Sequence, residues 1–301
     1  MDDGRDPYGT PRARSGRLAR EKPYTLETEA PTRPARSSKR AWFIVRLTAL
    51  LAVLGSVLLY AFRDVSRRGE RNEWTRTLDV ALVVVRDGSV SDAAVLGLRE
   101  RTRALEARLG EELRRYRGAP AKPFSFVWYG PTALGEPLPS SHGDGLVDLA
   151  RTAWELRRFT SDVDARAGVP SRGFDARVYL VVRPPSARGF VEGMSEHGGW
   201  VGVALADLDE STVDLALFVA AHELFHTLGA TDRYGPDGST LIPDGLAEPD
   251  RSPPFPQEFA EVMARNRPID EHEEVPPASL DELRVGPRTA AEIGWTAPGD
   301  R

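Results

Sequence analysis

The apolar and polar positions divide the chain into a polar N-terminal stretch, one long apolar segment and a larger region where short apolar runs alternate with amphipathic ones. Residues 1–40 are rich in Pro, Arg, Ser and Thr and have few large apolar side chains, so they cannot bury enough surface to fold alone. Residues 41–62 are almost continuously apolar, and as a helix they span about 33 Å, close to the thickness of a bilayer's hydrocarbon core. The pattern predicts a disordered basic tail and a transmembrane helix, which a juxtamembrane linker at 63–76 joins to a domain at 77–301.

The apolar segment contains one charged residue, Arg46, near its N-terminal end, where a long side chain can reach the headgroups. Trp42 and Tyr60 occupy positions expected at the two membrane interfaces. The alternatives are a cleaved signal peptide and a buried core helix. Bulky Tyr60 and Phe62 stand where a signal peptidase requires small residues, and a long tail precedes the segment, so we favour a single-pass anchor.

Basic residues flank the apolar segment on both sides in nearly equal numbers, so the flanking charge sets its orientation only weakly. The first 40 residues carry ten Lys or Arg, and keeping them in the cytoplasm avoids their translocation. We therefore expect a cytoplasmic N-terminus and an extracytoplasmic C-terminal domain.

Beyond the anchor, runs rich in β-branched residues predict buried strands, and leucines spaced among charged residues predict amphipathic helices. The predicted strands are 77–87, 124–129, 176–182 and 198–206, and the predicted helices are 92–116, 147–163, one that begins near Ser211, and two short ones at 279–283 and 287–293. Alternation in this order predicts an α/β fold with a mainly parallel sheet and helices packed against it.

Charge is unevenly distributed along the 301 residues. Residues 1–76 carry 16 Lys or Arg against nine Asp or Glu, whereas the remainder carries 24 against 36. The acidic balance of the globular part argues against nucleic acid as its partner. The chain has no cysteine, which excludes disulfides, thiolate metal ligands and a cysteine nucleophile.

The candidate functional residues are concentrated in the sequence HELFHTLGATD at 222–232. Residues four apart lie one above the other on a helix, so His222 and His226 can direct ring nitrogens at one zinc ion. Glu223 then lies beside the ion, where its carboxylate can accept the proton of an attacking water as a general base. A catalytic zinc site normally takes three protein ligands, so a third must come from nearby.

Gly229 falls where a helix needs a left-handed residue to end, and reversal of the chain there can return Asp232 to the metal. Asp232 is therefore the predicted third ligand. The alternative is that Asp232 belongs to an ordinary surface turn and that Glu258 or Glu261, from a later helix, supplies the ligand. The other histidines, His142, His197 and His272, have no partner at ligand spacing and are expected in loops or on the surface.

The motif resembles that of the metzincin family of zinc peptidases, His-Glu-x-x-His-x-x-Gly-x-x-His followed by a methionine turn. Asp232 replaces the usual final histidine, which is similar to the snapalysin group of small secreted bacterial members. The resemblance implies a zincin-like α+β arrangement with a mainly parallel twisted sheet, an antiparallel rim strand, a central zinc helix and a small C-terminal helical subdomain. It also implies a methionine beneath the metal, and Met263 is the only one downstream of the motif; the alternative is that Met263 only fills the core.

In this family a rim strand just before the zinc helix aligns the substrate as an added strand. If that carries over, the backbone of Trp200, Val201, Gly202 and Val203 binds an extended peptide, and the alternative is an ordinary sheet edge.

The resulting expectation is a membrane-anchored zinc endopeptidase in which Glu223 takes a proton from water and passes it to the leaving amine. Two alternatives remain: a membrane-tethered binding or scaffold protein that keeps the zinc fold without activity, and a zinc amidase that acts on cell-wall peptide. An intact Glu223 disfavours the first, because a structural metal needs no general base.

Overall fold

A computed structural model describes residues 37–139, 143, 145–185, 192–195 and 199–296. Of the disordered tail predicted at 1–40, residues 1–36 lie outside the described residues, as do His142 and His197, and residues 37–40 are helical rather than disordered. The described part of the chain divides into two units between Leu54 and Gly55, and the second contains the sheet and the candidate site.

The long apolar segment lies in helix α1, Ser37–Asn72. Within it, Arg40–Leu59 is long and apolar enough to cross a membrane, and its side chains are exposed. No other helix in the described part of the chain passes the same test of length and apolar composition. The segment predicted as a linker at 63–76 is helical as far as Asn72, and Trp74 just beyond it is buried.

Five strands form one sheet, and its topology confirms the predicted fold class. The strands are β1 Leu78–Arg86, β2 Phe124–Ala133, β3 Ala176–Arg183, β4 Glu192–Ser195 and β5 Val201–Asp207. Their order is β2-β1-β3-β5-β4; the first four are parallel, and β4 runs antiparallel to β5 at one edge. The sheet is therefore mainly parallel with one antiparallel rim strand.

The prediction that 200–206 forms the rim was wrong. β5 is an interior strand, since it pairs in parallel with β3 and in antiparallel with β4. Gly202 lies opposite Ser195 and Val203 lies opposite Met194, so both already have strand neighbours on each side. The rim strand β4 is only four residues long and contains two small residues and one carboxylate, too little apolar pattern to identify from the sequence.

Helices cover both faces of the sheet. Helices α2 Asp92–Arg114 and α4 Val213–Thr227 share one core cluster with one face of the strands, and α3 Leu146–Ala167 contributes Phe159 and Val163 to the cluster on the other face. Along β1, alternate side chains enter the two clusters, as the two-residue period of a strand requires. Burial on both faces explains why residues 80–85 are apolar without interruption.

The region after α4 is mostly irregular and contains short elements. Its ladders pair β6 Ala260–Glu261 with β9 Leu283–Arg284 and β7 Arg267–Pro268 with β8 Glu274–Val275, and its helices are the 3₁₀ turn Leu280–Glu282 and α5 Pro287–Glu292. The two C-terminal helices were predicted close to these positions, and the second is capped by Gly286. The two ladders were not anticipated, because strands of two residues leave no periodic pattern.

Gly202 brings β5 against the motif helix. A Cβ at this position would lie 2.9 Å from the carbonyl oxygen of Glu223 and 3.1 Å from its Cβ. Only a residue without a side chain allows this approach, so the sheet supports α4 directly behind Glu223.

Candidate metal centre

Helix α4 carries the first two candidate ligands on adjacent turns. It is almost entirely apolar before the motif and is buried from Ala216 onwards, which holds its backbone rigidly. His222 and His226 are each 7% exposed, and their rings meet edge to face with centroids 4.6 Å apart. Their Nε2 atoms lie 3.1 Å from each other.

The chain reverses directly after α4 and returns Asp232 to the histidines. The helix ends at Thr227 with Leu228 as its C-cap, and Gly229 has a φ of +97°, the left-handed region that favours glycine. Asp232 Oδ1 lies 3.2 Å from His222 Nε2 and 3.1 Å from His226 Nε2. The structure thus brings together the three residues proposed as ligands, and no other His, Asp or Glu cluster of this kind occurs among the described residues.

Backbone carbonyls orient both imidazoles. His222 Nδ1 is 2.9 Å from the carbonyl oxygen of Val262, and His226 Nδ1 is 2.9 Å from that of Ala230. A carbonyl oxygen only accepts, so each Nδ1 carries the proton and donates it. With Nδ1 bonded in this way, each ring in its neutral form presents an Nε2 lone pair to the gap that it shares with Asp232, as metal-bound histidines do.

This donor set fits zinc. A tetrahedral ion with bonds of 2.0–2.1 Å to nitrogen and oxygen separates its ligand atoms by about 3.3 Å, close to the three separations found here. Burial alone would lower the pKa of His226, but its hydrogen bond with Asp232 and the charges of Glu223 and Asp232 raise it overall. Burial likewise opposes ionisation of Asp232, yet hydrogen bonds with the two histidines hold the pKa of its carboxyl far below the usual range. The three groups together favour a positive charge between them.

Glu223 lies beside this cluster without joining it. Its side chain is 2% exposed, and Oε1 is 3.9 Å from His222 Nε2, farther than Asp232 Oδ1. A carboxylate at this distance is next to the shared gap, where a general base must be.

The two glutamates considered as substitute ligands are engaged elsewhere. The side chain of Glu258 is 63% exposed and pairs with Arg251 at 3.0 Å. Glu261 is fully buried and accepts hydrogen bonds from the backbone N–H groups of Met263 at 2.6 Å and Gly286 at 3.0 Å. Burial raises the pKa of Glu261 despite those bonds. Of the candidates, Asp232 alone joins the histidines.

Met263 belongs to the segment that supports the ligands. It is completely buried in the cluster that includes the apolar side of α4. Its carbonyl oxygen accepts from the N–H of Arg233 at 2.9 Å, next to Asp232, and its neighbour Val262 accepts from His222. Backbone bonds from 262–263 therefore reach both ligand-bearing segments.

Two neighbours of Asp232 were missed by the sequence analysis. The ring of Tyr234 stacks on that of His222 with centroids 6.2 Å apart, and burial followed by the charge of Asp232 raises the pKa of its phenol to about 12. Glu292, on α5, accepts from the N–H of Thr231 at 3.0 Å and pairs with Arg233 at 2.5 Å. Position alone could have indicated Tyr234, two residues after a predicted ligand, but nothing in the sequence links Glu292 to this turn.

Trp200 does not lie at the metal cluster. Its ring is 44% exposed, packs beneath the Arg177 guanidinium at 5.2 Å and lines a cavity of about 680 Å³ beside α3. Val201 lines the same cavity and belongs to the core cluster on the α3 face. Because the backbone of β5 pairs with β3 on one side and with β4 on the other, the expectation that 200–203 binds an extended peptide as an edge strand is wrong. His272 is exposed and lies outside the metal cluster.

No known family model matches the chain, and no curated protein matches it. Among solved structures it is similar to archaemetzincin from Methanopyrus kandleri, with 16% identity over 74% of this chain and 88% of that one and a TM-score of 0.31. It is also similar to a chain in a chaperone–substrate complex, with 14% identity, 72% of this chain covered and a TM-score of 0.36. The chain spans about a third of that second chain's length, 34%. At these scores the similarities carry no argument about activity, which rests on the site's own geometry.

The choice of third ligand can be tested by two acidic substitutions. In the full chain, solubilised in detergent, Asp232→Ala should weaken zinc binding by at least about 100-fold, because it removes a donor that faces both histidines. Glu258→Ala is the matched control and should leave the affinity unchanged. Competition with a chromophoric chelator measures both, and a greater loss in Glu258→Ala would contradict the assignment.

Proposed function

We propose that the protein is a membrane-anchored zinc-dependent endopeptidase of metzincin type, with its peptidase domain at 77–301. One observation carries the proposal. Two imidazole lone pairs, fixed by backbone carbonyls, converge with the Asp232 carboxylate, and the carboxylate of Glu223 lies at the edge of the same gap. A purely structural metal site needs the two imidazoles and the Asp232 carboxylate as ligands, but it does not need a general base such as Glu223.

His222, His226 and Asp232 would hold the ion. Bound zinc supplies a Lewis acid that polarises the scissile carbonyl and makes water a better nucleophile near neutral pH. Glu223 accepts the proton of the attacking water as the new carbon–oxygen bond forms, then delivers it to the amine nitrogen as the carbon–nitrogen bond breaks. Because Gly202 supports the backbone of Glu223, the base keeps its position through both transfers.

The substrate in this proposal is an extended peptide bound along β4. In the described sheet β4 pairs with β5 alone, so one row of its backbone groups is open to an added strand. Ser195 lies opposite Gly202, and Gly202 lies against Glu223. A peptide at this edge would therefore pair with β4 next to the strand that contacts the backbone of Glu223.

Replacement of Glu223 by Gln separates metal binding from turnover. The variant keeps the shape of the side chain but loses its basicity, so we expect full zinc binding with cleavage of an unstructured protein reduced by about 100-fold or more. Glu271→Gln, at an exposed position, is the matched control and should retain activity. The measurement is zinc content and initial cleavage rate of the full chain in detergent.

The same experiment separates the alternatives. Near-normal cleavage by Glu223→Gln would contradict the proposed role of Glu223 as the general base. Zinc binding by an unaltered chain that cleaves neither protein nor cell-wall peptide would favour a scaffold, whereas cleavage confined to cell-wall peptide would favour an amidase.

Binding along the β4 edge predicts sensitivity to substrate N–H groups. Methylation of one amide that faces β4 removes a hydrogen bond worth about 1 kcal/mol, so KM should rise about fivefold. Methylation of the adjacent amide, which points away in an extended strand, is the control. Equal effects at both positions would contradict strand addition.

In this proposal the anchor spans the membrane with its N-terminus in the cytoplasm and the peptidase domain outside. Arg40–Leu59 supports the span, and the ten basic residues of the preceding tail support the orientation. External protease should digest the C-terminal domain in intact spheroplasts, as followed by an antibody to the C-terminus. Protection until the cells are lysed would reverse the orientation.

A further inference from the structure

The last turn of α1 is bonded to the motif helix. Arg71 is 7% exposed, and its guanidinium donates to three backbone carbonyls from separate parts of the fold. Nη1 donates to Asp175 at 2.9 Å, and Nη2 donates to Gly199 at 3.1 Å and to Thr227 at 3.0 Å. Thr227 is the last residue of α4, one position after the second histidine.

The final carbonyls of α4 show what this contact does. A helix leaves its last four carbonyl groups without partners inside the helix. The turn itself satisfies two of them, because Leu228 and Ala230 donate to Phe225, and Gly229 donates to His226. Counted to the C-cap residue, the remaining two are the carbonyls of Thr227 and Leu228, and side chains of α1 donate to both.

Asn72 completes this arrangement beside Arg71. Its Nδ2 donates to the carbonyl oxygen of Leu228 at 2.9 Å, whereas Arg71 donates to that of Thr227. The positive charge of Arg71 also lies at the negative end of the α4 dipole, where a cation is stabilising. Side chains of α1 thus cap the end of α4 from which the ligand turn begins.

The capped end is directly connected to two ligands. The next residue after Leu228 is the left-handed Gly229, and Ala230 then accepts from His226 Nδ1. Arg68 packs on Gly229, since a Cβ there would lie 3.4 Å from its side chain. A shift of this turn therefore moves the oxygen that orients His226 and the carboxylate of Asp232 together.

Trp74 holds the end of α1 in place. It is 2% exposed, and its indole N–H donates to the carbonyl oxygen of Ile293 at 2.7 Å. Its ring contacts Phe124 and Trp295 edge to face, with centroids 5.4 and 5.7 Å away. These contacts hold the backbone next to Arg71 and Asn72, whose side chains bond to the end of α4.

We infer that Arg71 and Asn72 are positioning residues for the metal centre, so that the functional catalytic unit begins within the last turns of the anchor helix. They touch no substrate and act through the turn at 228–232. The inference concerns ligand geometry, and its consequence for catalysis rests on the proposed peptidase function.

The test uses the full chain in detergent with Co²⁺ as the metal probe, because cobalt absorption bands report coordination geometry. Arg71→Ala and Asn72→Ala should each change the visible spectrum, weaken Co²⁺ binding by about tenfold and lower kcat by about tenfold, with KM nearly unchanged. Arg76→Ala is the matched control. It removes an exposed cation from the same segment, one that pairs with Asp175 at 2.6 Å and makes no hydrogen bond to α4 among the described residues.

Circular dichroism and thermal unfolding select variants that are folded at the assay temperature. Folded Arg71→Ala and Asn72→Ala proteins with unaltered spectrum, cobalt affinity and kcat would overturn the inference, as would an equal change in Arg76→Ala. If Arg71→Ala does not fold, Asn72→Ala decides. If the unaltered chain binds cobalt but cleaves no peptide, the proposed function fails, while the spectra and affinities still decide the positioning role.

Discussion

The candidate site depends on two hydrogen bonds, from His222 Nδ1 to Val262 and from His226 Nδ1 to Ala230. They fix the tautomer of each ring and therefore turn both Nε2 lone pairs into one gap. Two lone pairs and a carboxylate oxygen at such short separations repel one another unless a positive charge lies between them. The backbone carbonyls on either side of α4 thus hold the three ligand atoms in an arrangement that a bound divalent cation would stabilise.

The rest of the domain keeps those two carbonyls in place. Val262 belongs to a turn tied by the buried carboxylate of Glu261 to the N–H groups of Met263 and Gly286. Ala230 lies in the turn capped by Arg71 and Asn72. The interior strand β5 supports α4 itself through Gly202. A ligand geometry set by backbone atoms on three sides leaves the ligand side chains little freedom, as a preorganised metal site requires.

The sequence predicted elements whose pattern comes from burial on a face. The apolar run at 80–85 lies in the core as expected, and so do the leucines of α2 except Leu96, which is exposed. The spacing of His222 and His226 placed their rings together. Prediction failed where position depends on distant partners. The four residues of β4 carry no periodic signal, so the neighbouring stronger run was mistaken for the rim. In the sequence, Arg71 is one of several basic residues that follow the apolar segment, and nothing there distinguishes it. Only the fold shows that its side chain caps α4.

The most direct test of the metal centre is zinc X-ray absorption on the full chain, beside His226→Ala. The geometry predicts a first shell with two imidazole nitrogens and carboxylate oxygen at about 2.0–2.1 Å, and loss of one imidazole contribution in the variant. A bound zinc whose shell contains no imidazole, or a spectrum that His226→Ala leaves unchanged, would contradict the assignment of this site.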